Sequence, residues 1–209
     1  SNEEKVFEMR FAHYEGGDVG LFFKAIKAQH IDCSPDYLAL VNTDRYDFVE
    51  ICCSPNSVLA DTCIKRGGKA HRINLASGYD LNTRAGIESA KDWIRKFKPR
   101  EAWISLPCTP WSAMQNLTPM TPEIEIKLGQ QRKAARRMIR MVIELVRELI
   151  SVGSDPAWEW PLRASSWRLP EMQELLSLLP HRARPDGRSF GMRSIDTKEL
   201  ILKSWRVQC

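Results

Sequence analysis

A cysteine held between two prolines, Pro107-Cys108-Thr109-Pro110, follows the apolar run Ala102-Trp103-Ile104-Ser105-Leu106 and leads into Trp111-Ser112. The run reads as a strand that stops at a proline. Its thiol therefore stands at the open end of a strand, where open α/β sheets place their chemistry. A cysteine is a nucleophile only as the thiolate, which forms when nearby donors or a helix terminus lower its pKa. A second strand-like run that ends at a proline, Ala157-Trp158-Glu159-Trp160-Pro161, carries a carboxylate between two tryptophans. A thiol and a carboxylate converging on one crevice would suit covalent catalysis with an acid helper. The bland alternatives are a thiol buried for packing and a surface carboxylate.

The elements that must position these groups are legible around them. Phe48 to Cys53 reads as a buried strand, Ser54-Pro55-Asn56-Ser57 as a turn, and Val58 to Arg66 as a helix closed by Gly67-Gly68. A strand over Lys69 to Leu75, a turn over Ser77 to Leu81, a helix over Ala85 to Phe97 and the strand Ala102 to Leu106 come next. Glu123 to Ile150 forms one long helix with an apolar stripe through Leu128, Ala135, Met138, Val142, Leu145 and Leu149. Leu169 to Leu179 is a further helix, and Ser189–Met192 with Leu200–Val207 suggest a closing hairpin. Strands alternating with helices at this spacing predict an α/β fold, a doubly wound, mostly parallel, Rossmann-like sheet with helices on both faces. Residues 1–46 read as an N-terminal extension packing on a core domain of residues 47–209.

In such a sheet the turn after the first strand approaches the cofactor. Here that turn lacks the glycine-rich dinucleotide pattern. Asn74 stands near the end of the next strand, where an acid often holds a ribose hydroxyl. Along the long helix Arg132, Arg136 and Arg140 recur at four-residue steps and so share a face. That face is either an ordinary solvated one or a nucleic-acid contact.

The 209 residues carry 31 Lys and Arg against 26 Asp and Glu, a net charge of +5, with 43% hydrophobic and 27% charged residues. These proportions fit a globular chain. Nothing approaches a transmembrane stretch of about 20 apolar residues, and Ser1 to Lys5 has no signal-peptide character. Six cysteines, at 33, 52, 53, 63, 108 and 209, show no zinc spacing. The expectation is an intracellular chain with reduced thiols, no metal and no membrane.

Leu106-Pro107-Cys108-Thr109-Pro110-Trp111-Ser112 resembles the Pro-Cys-Gln-x-Phe-Ser motif of DNA cytosine carbon-5 methyltransferases. Other pieces follow in that family's order. Glu50 to Ser57 sits where the family has its first cofactor loop, and Gly78-Tyr79-Asp80-Leu81 resembles its Gly-Asp-Ile segment. Glu159-Trp160-Pro161 resembles its Glu-Asn-Val motif, and Phe190-Gly191-Met192 with Lys198 to Leu202 its Tyr-Gly-Ile-Pro-Gln-x-Arg-x-Arg motif. The chain also resembles, more loosely, methyltransferase-like domains of retroelement polyproteins. The likeness covers roughly residues 47–205.

The resemblance implies that S-adenosylmethionine donates a methyl group to carbon 5 of a cytosine, with DNA ahead of RNA as the polymer. Cys108 would attack carbon 6, Glu159 would hold N3 and the exocyclic amine, and Lys198 would supply a cation. Glu50, Cys52, Ser54, Asn56, Ser57, Asn74, Asp80 and Pro107 would surround the cofactor. Arg132, Arg136, Arg140 and Trp111 would meet the nucleic acid. The chain departs from the family at Ser54 to Ser57, which replace a glycine-rich turn, at Trp160, which replaces Asn, and at Asp196, which stands for an arginine. Two other functions are consistent with the sequence: a catalytically degenerate methyltransferase fold that binds nucleic acid, and an amino-methyltransferase acting on a base. The second would place an Asp/Asn/Ser-Pro-Pro-aromatic motif at Ser105-Leu106-Pro107-Cys108, which matches it poorly.

Overall fold

The computed structural model describes residues 45–112, 115, 119–186, 199 and 204–209. Most of the expected extension over 1–46 lies outside them. So do Lys198, Asp196, the Phe190-Gly191-Met192 motif and the strand expected over Ser189–Met192.

The chain alternates strands and helices: β1 Phe48–Ile51, α1 Val58–Lys65, β2 Ala70–Ile73, α2 Arg84–Phe97, β3 Glu101–Ile104, α3 Pro122–Ser151, β4 Asp155–Pro161, α4 Pro170–Leu178, β5 Arg182–Ala183 and β6 Trp205–Gln208. The six strands make one mixed sheet in the order β2-β1-β3-β4-β6-β5. β1 runs parallel to β2 and β3, and β3 runs parallel to β4. β6 runs antiparallel to both β4 and β5. β6 overlaps the end of the strand expected over Leu200–Val207, and its outer neighbour among the described residues is Arg182–Ala183, two residues too short to show any period.

Three helix ends have a clear local cause. Thr83 accepts the Gly86 amide at 3.1 Å and caps α2. Thr121 caps α3 ahead of Pro122, a residue pre-set for the first helical position. Gly67 takes φ +82 just after α1, a conformation that favours glycine and stops the helix.

Side chains alternate along the strands and sort the core. Val49 and Ile51 of β1, Ile73 of β2, Ala102 and Ile104 of β3, and Trp158 and Trp160 of β4 join a cluster with Ile87, Ile94, Val142, Val146, Met172 and Leu175 from α2, α3 and α4. Each buried aliphatic side chain of this kind contributes about 1.5–3 kcal/mol. The other face carries Glu50, whose carboxylate reaches the start of α1. Among the described residues, one helix therefore covers one face and three cover the other.

The 30-residue α3 spans about 45 Å. Its buried residues crowd into the second half, from Ile139 to Leu149, with Leu128 alone before them. The helix starts beyond the carboxyl ends of β1, β3 and β4. Its first half therefore stands over the end of the sheet where β1 to β4 finish.

Candidate functional site

The loop after β1 is held by its own polar groups. Cys52 adopts φ +63, an uncommon conformation for a residue with a Cβ. Glu50, almost fully buried, accepts the Ala60 amide of α1 at 3.3 Å and also the Ser57 hydroxyl. A carboxylate at the positive end of a helix is stabilised there. Ser54, Pro55 and Asn56 are exposed on a tight turn closed by Ser57 N–H to Ser54 C=O at 3.0 Å. Asn74 ties two loops together. Its Oδ1 accepts the Ser77 amide at 2.9 Å, and its Nδ2 donates to the Cys53 carbonyl at 3.2 Å.

Four of the expected cofactor residues, Cys52, Asn74, Asp80 and Pro107, meet at one cavity of about 170 Å3. Glu50, Ser54, Asn56 and Ser57 do not line it. Tyr79, Leu81, Asn82 and Met138 complete much of its wall. It sits outside the ends of β1 and β3, between which the strand order reverses, the position where open α/β sheets bind ligands. Asp80 is half-buried, and its Oδ1 accepts the Asn82 amide at 3.0 Å. Burial pushes the Cys52 thiol up to about 12, with the neighbouring Cys53 adding to the rise. Cys53 is also pushed up to about 12, by burial first and then by the Glu50 charge. Both stay protonated at neutral pH and serve as wall, not as nucleophiles.

Cys108 begins the turn after β3. Ser105 N–H donates to Ile51 C=O at 3.1 Å, and the Cys108 carbonyl accepts the Trp111 amide at 2.9 Å across a short 3-10 turn, Thr109–Trp111. The Cys108 side chain is half-buried against the core of the three-helix face. Trp111 is buried beneath Arg132, whose guanidinium lies 5.4 Å from the ring centroid and donates to the Pro110 carbonyl at 3.1 Å. All four residues expected to meet nucleic acid, Trp111, Arg132, Arg136 and Arg140, line one groove of about 440 Å3, together with Lys133 and Leu169.

The groove contains a feature that sequence spacing does not reveal. Glu171, buried in the first turn of α4, accepts Arg136 Nη2 at 2.9 Å and Arg140 Nη1 at 2.6 Å. Burial alone would raise its pKa, but backbone and arginine hydrogen bonds hold it below the usual carboxylate range. The two arginines are thereby oriented and partly neutralised. The partners lie 31 and 35 residues apart, beyond the reach of any local pattern. Met138 was legible only as part of an apolar stripe.

Glu159 stands level with Ser105 in the register, at the same sheet end as Cys108. Its neighbours Trp158 and Trp160 belong to the core of the three-helix face. Alternation therefore turns Glu159 to the α1 face, with Ala157 and its register partner Trp103. The thiol and the carboxylate share a sheet end, Cys108 on the turn after β3 and Glu159 near the end of β4. Among the described residues no helix is long and apolar enough to cross a membrane, and no group of three or more His, Cys, Asp or Glu could hold a metal ion. No protein-family model, curated protein or solved structure matches the chain.

Proposed function

We propose that the chain is a nucleic-acid methyltransferase with a doubly wound, Rossmann-like sheet, in which Cys108 forms a transient adduct with a cytosine. One observation carries this reading. The turn Pro107–Trp111 contributes Pro107 to the cavity at the strand-order reversal and Trp111 to the arginine groove. Cys108 lies between the two in the chain. A methyl-donor site on one side, a phosphate-binding groove on the other and a thiol between them is the arrangement that carbon-5 chemistry requires. The sheet supports the fold half of the reading, since β6 alone runs against β1 to β4.

The residues around the cavity fit the adenosine end of S-adenosylmethionine. Leu81, Met138 and Pro107 offer apolar walls for a flat base, and Asp80 and Asn82 offer polar edges. The volume suits a base; whole drug-sized ligands need about 300 Å3 or more. When bound, S-adenosylmethionine supplies the electrophilic methyl group for carbon 5. Cys108 adds through its thiolate to carbon 6, which makes carbon 5 nucleophilic. Water then takes the carbon-5 proton, the C–H pair restores the carbon 5–carbon 6 double bond, and Cys108 leaves as its thiolate. Arg132, Arg136 and Arg140 hold phosphates flanking the target base, which must leave a stack or arrive single-stranded.

One observation favours a second reading. Glu50, Ser54, Asn56 and Ser57, expected at the cofactor, do not line the cavity at the strand-order reversal, and Glu50 and Ser57 instead fasten the loop before α1. A fold retained for binding nucleic acid without catalysis accounts for that. Incubation with 5-fluorocytosine-containing strands and S-adenosylmethionine separates the two. A covalent band that disappears in Cys108→Ser supports methyl transfer. Absence of any band, with strand binding intact, supports the binding module.

A further inference from the structure

Basic side chains build a second cleft, of about 440 Å3, in the segment that leaves β4. Its cations are Arg163 and Arg168, both exposed, and Arg206 of β6. The floor is rigid. The Trp167 indole N–H donates to the Pro161 carbonyl at 2.9 Å, and the Trp160 indole N–H donates to Ser166 Oγ at 2.7 Å. Gln173 Nε2 donates to the Trp167 carbonyl at 2.6 Å. Arg206 lies above this floor, its Cζ 4.4 Å from the Trp167 ring centroid, with its Nε donating to Gln208 Oε1 at 2.9 Å. A guanidinium fixed on an indole keeps its outer edge preorganised for a phosphate.

The charge in this cleft is unbalanced. No acidic side chain is among the described residues that line it. Burial lowers the pKa of Arg206, and the nearby Arg182 and Arg184 lower it further by repulsion. Like charges gathered in this way are relieved by an anion. The first groove differs, since Glu171 already offsets Arg136 and Arg140. The two sites are otherwise built alike, each from an arginine laid over a tryptophan. They are also contiguous: Leu169 lines the first groove and Arg168 the second.

We infer that the cleft of Arg163, Arg168 and Arg206 binds phosphates of the same nucleic-acid strand that occupies the groove beside Cys108, so that the strand runs over the Ser165–Leu169 turn. This rests on the reading of the first groove as a nucleic-acid site. It extends the contact from a single target site to a track along the backbone.

The test is the affinity of a 30-nucleotide single strand for the wild type and for the double variant Arg163→Ala/Arg168→Ala, followed by fluorescence anisotropy across a salt series without methyl donor. Two lost phosphate contacts predict a salt slope shallower by about 1.4 and an affinity about 25-fold weaker at 0.1 M salt. Arg163→Lys/Arg168→Lys should keep most of the slope. Unchanged slope and affinity in the alanine pair would overturn the inference. So would competition by polyglutamate as effective as by the strand, which would assign the cleft to an acidic protein surface. A wild type that binds no strand overturns both this inference and the proposed function. Normal binding with a diminished variant slope, but no adduct on 5-fluorocytosine, removes methyl transfer and leaves the track standing.

Discussion

Three thiols near the sheet are chemically silent for a physical reason, and that narrows the candidates for chemistry. Burial pushes Cys52 and Cys53 up to about 12 and Cys63 up to about 11. At pH 8 a thiol with a pKa near 12 is ionised to roughly one part in 10,000, against about a quarter for an ordinary cysteine. Iodoacetamide at pH 8 should therefore alkylate Cys52 and Cys53 at least a hundredfold more slowly than free glutathione, as read by peptide mass spectrometry. Labelling at the glutathione rate would contradict the protonated wall. Glu171 makes a second residue-scale prediction. Glu171→Gln keeps the shape but removes the charge that holds Arg136 and Arg140. Charge-assisted hydrogen bonds to a buried carboxylate contribute about 1.5–3 kcal/mol, so the urea midpoint should fall. The groove becomes more positive, so single-stranded oligonucleotide affinity should rise and its salt slope steepen. Affinity that drops instead would show that the carboxylate's positioning of the arginines outweighs its charge.

Elements were legible to the extent that their cause is local. β1, β3, α2 and α3 fall within two residues of their predicted ends, because an apolar run, a helical period or a cap marks each one. Strand order and the pairing of β6 with Arg182–Ala183 depend on contacts distant in sequence, and spacing alone could not give them. Along β4, alternation sets Glu159 on the face opposite Trp158 and Trp160, which is a local signal. The crevice itself was legible in outline: Cys52, Asn74, Asp80 and Pro107 converge, and Arg132, Arg136, Arg140 and Trp111 share a groove. Glu50 and Ser57 instead fasten the loop that precedes α1. A close approach fixes the floor of the cavity. Gly86, in the first turn of α2, packs so tightly on the Asp80 backbone that a methyl group there would overlap the Asp80 carbonyl. Gly86→Ala should cost about 1–3 kcal/mol by urea unfolding and displace Asp80; on the proposed function it should also weaken S-adenosylmethionine binding in calorimetry. A variant as stable as the wild type would mean that this contact yields without strain.

At the scale of the whole molecule, charge and protonation set the conditions under which the fold holds. The helices of the three-helix face are laced by Arg84 and Lys91 to Glu144 and by Arg95 to Glu148. Hydrogen bonds from Lys91 hold Glu144 below the usual carboxylate range, against the opposing effect of burial, and Arg84 adds to the shift. A depressed carboxylate gives stability that is present above its unfolded pKa of about 4.3 and lost as pH falls through the folded value. The stability that Glu144 and Glu171 contribute is therefore present at neutral pH and lost only as pH falls below about 4.3. His71 acts at milder pH. It stacks on Trp93 at 4.4 Å between centroids and meets the Tyr79 hydroxyl at 3.3 Å, and burial lowers its pKa. The unfolded chain then binds a proton more readily than the folded one, so stability is complete above about pH 6.5 and declines as pH falls toward the folded pKa. The urea midpoint should be lower at pH 5.5 than at pH 7.5. His71→Phe keeps an aromatic ring on Trp93 and removes the titration, so its midpoint should change less between those two values. Glu144 and Glu171, held below the usual carboxylate range, keep their charge between these two values and add nothing to the difference. If wild type and His71→Phe lose stability equally between pH 7.5 and 5.5, the dependence arises elsewhere and the neutral, stacked His71 is not its source.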